Sequence, residues 1–133
     1  MSEESSVSFE QSGLVTVARV TRADAMEAAN VARFGEQSLA YVSQNPGCRL
    51  LLDFESVEYL SSAALSEILV LHRKCHETGG DIRLCGMNND VLKVFKITQL
   101  DRIVEVYDSP AVLAVTLFNR SLEESADSAS SKK

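Results

Sequence analysis

The run Leu50-Leu51-Leu52 constrains this chain more than any other feature. A strand with one face in water alternates apolar and polar residues. Three consecutive leucines do not alternate, so Arg49–Phe54 reads as a central strand buried on both faces. After it comes a short acidic turn containing Glu55 and Glu58. Ser61-Ser62 then opens an amphipathic stretch, with Leu65, Ile68, Leu69, His72 and Cys75 or His76 at helical spacing. Arg73, Lys74 and Glu77 fall on its solvent side, and Gly79-Gly80 supplies a left-handed stop. Asp81–Gly86 alternates as a strand again. A helix of this length between two strands is a crossover connection, and crossovers join parallel strands.

The flanking sequence extends this unit in both directions. Val7–Gln11 and Leu14–Val20 surround the turn signal Ser12-Gly13 and read as a hairpin. Asp24 is a candidate cap for the alanine-rich segment that follows. That segment predicts a helix over Asn30–Gln44, closed by Asn45-Pro46-Gly47. Downstream, Asn88-Asn89-Asp90 caps a short helix with Val91, Leu92, Val94, Phe95 and Ile97 inward. Thr98–Asp101 is a loop, Ile103–Tyr107 the last strand, and Pro110 stands at the start of a final helix running to about Phe118. The predicted class is α/β: a single-domain mixed β-sheet of four to five strands packed against helices. Residues 1–6 are expected to form a flexible N-terminus, 7–118 the domain, and 119–133 a disordered C-terminal tail. The tail is rich in Ser, Glu, Ala and Lys and has only Leu122 as a core residue.

Composition narrows the function classes. The chain has 133 residues, 45% hydrophobic and 24% charged, which suits one domain with a core that needs no staples. A net charge of −6 argues against nucleic acid or an anionic membrane surface as the main partner. No apolar run approaches the roughly 20 residues that span a bilayer, and MSEESSVSFE lacks the apolar core of a signal peptide. The expectation is a cytoplasmic protein with no membrane insertion. Cys48, Cys75 and Cys85 are odd in number and show no CxxC or Cys/His ligand spacing, so they read as reduced thiols packed as small hydrophobes. His72 and His76 share a helix at i, i+4, but no HExxH arrangement or third ligand accompanies them, and no metal is expected. There is no phosphate-cradling glycine loop, nucleophile elbow or ordered Ser/His/Asp set, so an enzyme is not expected.

LLLDF at Leu50–Phe54, VEYLSSAAL at Val57–Leu65 and TGGDIRLCGMNNDVLKVFKITQLDRIVEVYDS at Thr78–Ser109 together resemble the STAS domain of bacterial anti-sigma-factor antagonists. The likeness covers roughly Leu14 to Ala114. It implies a phosphoacceptor serine at the start of the helix after the central strand, which falls on Ser62, with Ser61 as the fallback. The family often has Asp at position 61, Ser or Thr at 63 and Gly at 64, where this chain has Ser61, Ala63 and Ala64. The resemblance also implies an anti-sigma factor that is a serine protein kinase as the partner, and a PP2C-type phosphatase that resets the cycle; the ATP and magnesium chemistry then belongs to the partner, and this chain needs no cofactor. It places partner binding at Asp53, Tyr59, Ser61, Ser62, Ala63 and Ser66.

The residues themselves leave alternatives open. Ser62 reads as an N-cap, its hydroxyl accepting an N–H of the first turn for about 1 kcal/mol. A helix start also favours an anion, so a phosphate there is compatible with the fold, although Glu55, Glu58 and Glu67 oppose more negative charge nearby. Asp53 ends the central strand, where it could act as a base or, more simply, bond turn N–H groups. A non-switching scaffold or sensor module and a small-ligand-binding module remain as rival functions.

Overall fold

The computed structural model describes residues 6–131, with side chains described through Ser125. Five strands form one sheet in the order β1-β2-β3-β4-β5: β1 Val7–Ser12, β2 Val15–Val20, β3 Arg49–Asp53, β4 Asp81–Cys85 and β5 Glu105–Tyr107. The β1–β2 hairpin is antiparallel and every later pairing is parallel. Helices α1 Val31–Gln44, α2 Ser62–Glu77 and α3 Asn89–Ile97 make the three crossovers, and α4 Ala111–Ser131 closes the chain. The α/β class, the mixed sheet and the central place of the leucine strand are as expected from the sequence.

The leucine run separates two cores. Leu50 and Leu52 join Ala18, Val20, Ile82 and Leu84 under α1, α2 and α3, with Phe34, Ile68 and Phe95 filling that layer. Leu51 points the other way and packs with Val15, Cys85, Ala114 and Phe118 beneath α4. Each fully buried large apolar side chain contributes about 1.5–3 kcal/mol, so a polar residue anywhere in the run would be costly.

Several local expectations are corrected. Asp24 caps no helix: it pairs with Arg22 at 3.2 Å, and Asn30 stands at the cap position of α1. The buried stripe of α2 is Ala64, Ile68, Leu71 and Cys75, while Leu65, Leu69 and His72 are only half-buried. The helix carries apolar residues over more than one stripe's width, so two phases fit its sequence and contact with the sheet selects one. In α3 only Val91 and Phe95 are buried, and Ile97 is 79% exposed. Nine residues give a single i, i+4 pair facing inward. The loop after α3 holds a 3₁₀ turn, Leu100–Arg102, which delays the last strand to Glu105 and leaves Ile103 exposed.

The expected disordered tail is a helix where it is described. α4 does not stop at Phe118. Asn119 accepts the Leu14 N–H at 2.7 Å and donates to the Ser12 carbonyl at 3.0 Å, clamping the hairpin turn, and Leu122 packs on the second core. The Arg83 guanidinium lies over the Phe118 ring at 4.3 Å, donates to the Tyr107 hydroxyl at 2.6 Å and reaches the Ser121 hydroxyl at 3.5 Å. At the other end, Ser6 is buried and its N–H donates to Gln37. The flexible segment expected over residues 1–6 therefore does not include Ser6. Residues 1–5 and 132–133 lie outside the described residues.

Truncation after Phe118 is expected to lower unfolding free energy by about 2 kcal/mol, from the lost hydrogen bonds of Asn119 and Ser121 and the partial exposure of the core under Leu122. Urea melts of the full and shortened chains measure this. Coincident midpoints would mean the segment adds nothing to the fold.

Candidate functional site

The carboxyl end of β3 sits between two neighbours in register, Arg19 on β2 and Cys85 on β4. Asp53 is buried. Its Oδ2 meets the Arg19 Nε at 3.2 Å and its Oδ1 accepts the Glu55 N–H at 3.0 Å. Gly86 closes over this carboxylate with φ +74°, and a Cβ there would lie 2.7 Å from Oδ1. Both the positive φ and the missing side chain are therefore required. Asp53 is occupied in shaping the turn after β3, which is the simpler of the two roles open to it in the sequence. The buried Cys85 thiol beside it is pushed up to about 12 by desolvation and then by the Asp53 charge, so it stays protonated.

The loop from Phe54 to Leu60 is fastened on both sides. Asn88, the α3 cap residue, donates to the Val57 carbonyl at 3.3 Å, while the Glu58 N–H donates to the Ala23 carbonyl. Ser61 completes the fastening. Its N–H and its hydroxyl both donate to the Met26 carbonyl, at 3.2 and 2.7 Å, and its Oγ accepts the Ala64 N–H at 3.1 Å. Ser61 is thus the N-cap of α2, with φ −79° and ψ 164°, and it is buried at 6% exposure. This corrects the assignment of the cap to Ser62. Ser62 is the first helical residue, and its side chain is exposed.

The six residues expected at the binding surface divide into two sets. Tyr59, 59% exposed, Ser62 and Ser66 face outward along the loop and first turn of α2, with Ser62 and Ser66 one turn apart. Asp53 and Ser61 are buried, and Ala63 packs against the core. The inner set holds the outer set in place. The first turn of α2 contains no acidic residue, so its dipole has no side-chain anion to offset it. Sequence reasoning missed Arg19, the Met26 carbonyl and Gly86, and it gave Asn88 only as a cap of α3, not as a tie to Val57. Arg19 left a signal as the lone charge in VTVARV; the Met26 carbonyl left none.

The two histidines lie elsewhere on α2. Their rings are 4.4 Å apart, His76 reaches Asp81 at 3.4 Å, and burial followed by the His76 charge holds His72 below its ordinary value. Among the described residues, no group of three or more His, Cys, Asp or Glu side chains could hold a metal ion, and no helix is long and apolar enough to cross a membrane.

Fold and site define a small α/β module that presents an exposed serine on a rigidly fastened helix start. The sequence profile of the STAS domain matches residues 7–112, and the chain belongs to that family. A Thermotoga neapolitana protein provisionally named an anti-sigma factor antagonist is 36% identical over 61 residues, which are 46% of this chain and 54% of that protein. The chain thus spans about half the length of the curated relatives it matches. Among solved structures, a Thermotoga maritima protein carrying the same provisional name aligns at TM-score 0.73 and 22% identity, over 83% of this chain and 92% of that one. The phosphorylated form of the Bacillus cell fate determinant SpoIIAA aligns at TM-score 0.64 and 16% identity, over 84% and 98%. The unphosphorylated form of SpoIIAA, titled an anti-sigma factor antagonist, also aligns at TM-score 0.64, at 15% identity over 84% and 96%.

The cap assignment predicts different costs for the two serines. Ser61→Ala is expected to lose about 1–2 kcal/mol, because the cap and the hydroxyl bond to Met26 go together. Ser62→Ala is expected to stay within about 0.5 kcal/mol of wild type. Thermal melts of the two variants distinguish the sites, and equal losses would contradict the assignment.

Proposed function

We propose that this chain is an anti-sigma-factor antagonist whose binding surface is switched by phosphorylation of Ser62. The carrying observation is the contrast between adjacent serines: Ser61 is buried and bonded on both sides, whereas Ser62 is exposed at the first position of α2. A phosphate on Ser61 would need the hydroxyl that donates to Met26, so the reading places the modification on Ser62 and drops Ser61 as fallback. The names of the relatives support an anti-sigma factor as partner, and the phosphorylated form of a fold neighbour supports the modification.

In this reading the unphosphorylated chain docks on a kinase-type anti-sigma factor through Tyr59, Ser62 and Ser66, with Asp53, Ser61 and Ala63 setting their positions. The partner binds ATP and magnesium, and its γ-phosphoryl group passes to the Ser62 Oγ while the hydroxyl proton leaves. The product carries about −1.5 to −2 charges at pH 7. Placed in a closed interface, that charge would have to be desolvated and would repel partner carboxylates, so the complex dissociates. A phosphatase restores the binding form. The chain itself performs no catalysis in this cycle and uses no cofactor, and the cycle belongs in the cytoplasm, where ATP is available.

Incubation with ATP and the cognate kinase is expected to add one phosphoryl mass, absent in Ser62→Ala and retained in Ser66→Ala. Ser62→Asp is expected to weaken partner binding at least about tenfold in titration calorimetry. An unchanged mass gain in Ser62→Ala would overturn the site, and wild-type affinity in Ser62→Asp would favour a scaffold that does not switch.

A further inference from the structure

Away from the Ser62 end, the turn between α2 and β4 brings two cysteines together. Cys48 lies just before β3 and is half-buried, while Cys75 lies in the last turn of α2 and is buried. Neighbouring residues of one turn hold both backbones: the Gly80 N–H donates to the Cys75 carbonyl at 2.8 Å, and the Asp81 N–H to the Cys48 carbonyl at 3.2 Å. Thr78 adds a second tie, its hydroxyl donating to the Cys75 carbonyl at 2.9 Å and accepting the Gly47 N–H at 3.1 Å. The segments approach so closely that a side chain on Gly80 would collide with the Cys48 carbonyl oxygen. Within this frame both side chains meet one core, Cys75 inside it and Cys48 packed at its edge, and the two thiols perturb each other's ionisation.

We propose that Cys48 and Cys75 form a peroxide-oxidisable dithiol that closes into an intramolecular disulfide. The two members are suited to different steps. The neighbouring Cys75 thiol holds Cys48 below its usual value, with a further contribution from Arg49, while Cys75 is pushed up by the Cys48 thiol and by burial. Cys48, the more accessible thiol and the one favoured as thiolate, is the nucleophile. Its sulfur attacks the outer oxygen of a hydroperoxide. The O–O bond breaks, an alkoxide or hydroxide leaves and takes up a proton, and Cys48 becomes a sulfenic acid. The Cys75 sulfur then attacks the Cys48 sulfur, the S–O bond breaks, and the Cys75 proton leaves with the hydroxide as water. Two thiols and one hydroperoxide give one disulfide, one alcohol or water, and one water. The two electrons go to the O–O bond. Cys85 lies on the opposite face of the sheet, in the core beneath α4, and takes no part.

The test treats the reduced full-length chain with a modest excess of hydrogen peroxide, unfolds the product in denaturant, alkylates the remaining thiols and measures intact and peptide masses. The expected product is monomeric, lacks two hydrogen atoms, links the Cys48 and Cys75 peptides and takes one alkyl group, on Cys85. Cys85→Ser should still form the link, Cys48→Ser should lose it, and Cys75→Ala should instead accumulate a Cys48 sulfenic acid that dimedone traps. Cys48 is half-exposed, so Cys48→Ser carries the test even if Cys75→Ala proves unstable. Oxygen addition without loss of hydrogen in wild type, disulfide-linked dimers, or a link that persists in Cys48→Ser would overturn the proposal.

Discussion

Crossovers of a single hand set the plan of this molecule. Strands β2 to β5 occupy the sheet in chain order, so each crossover steps in the same direction. Steps of one hand in one direction put all of their helices on one face. α1, α2 and α3 accordingly share a core, and the opposite face is left bare until α4 returns across it. The same geometry gathers the carboxyl ends of β2, β3 and β4 on one edge, where the connections into the three crossover helices lie side by side. Neighbouring connections are then laced together: Ser61 bonds to Met26 in the loop before α1, and Asn88 before α3 bonds to Val57 in the loop before α2. The site is a consequence of winding order, not of one loop's own conformation.

What the sequence made legible follows the range of each signal. The buried strand at Leu50–Leu52, the hairpin and the helix spans depend on residues within a few positions of one another, and their type and order could be read directly. Features decided at long range could not. Asn119 lies in a polar run that looks like a tail, and the groups that hold it, at Ser12 and Leu14, are more than a hundred residues away. Either serine of the pair could cap α2 on local grounds. The choice was made by the Met26 carbonyl, 35 residues upstream, which accepts the Ser61 hydroxyl. The phase of α2 was equally open, because Leu65, Ile68, Leu69 and Leu71 cover too wide an arc for periodicity alone to orient the helix.

The departure at position 61 has a physical meaning in this light. Aspartate, often found there in the family, would accept the Ala64 N–H as a cap but has no hydrogen to give the Met26 carbonyl, and its charge would face that oxygen at close range. Serine can do both. It exchanges a charged cap for a neutral one that also fastens the loop before α1. The first turn of α2 is thereby left without an acidic side chain. Its dipole is more available to an anion arriving at Ser62 than it would be beside a carboxylate.

Two opposing terms would act on a phosphate at Ser62, and both are small. The helix dipole favours it by about 0.3–1 kcal/mol at an exposed site. Glu55 and Glu58, both exposed in the preceding loop, oppose it weakly across screening solvent. Neither term approaches the several kcal/mol of loop bonding at Ser61, Asp53 and Asn88, none of which uses the Ser62 hydroxyl. A chain modified there should therefore keep its backbone. A modification that leaves the fold unchanged can alter function only through what meets it across an interface. For this architecture, the size of any switch is therefore set by how completely a partner excludes water from the first turn of α2.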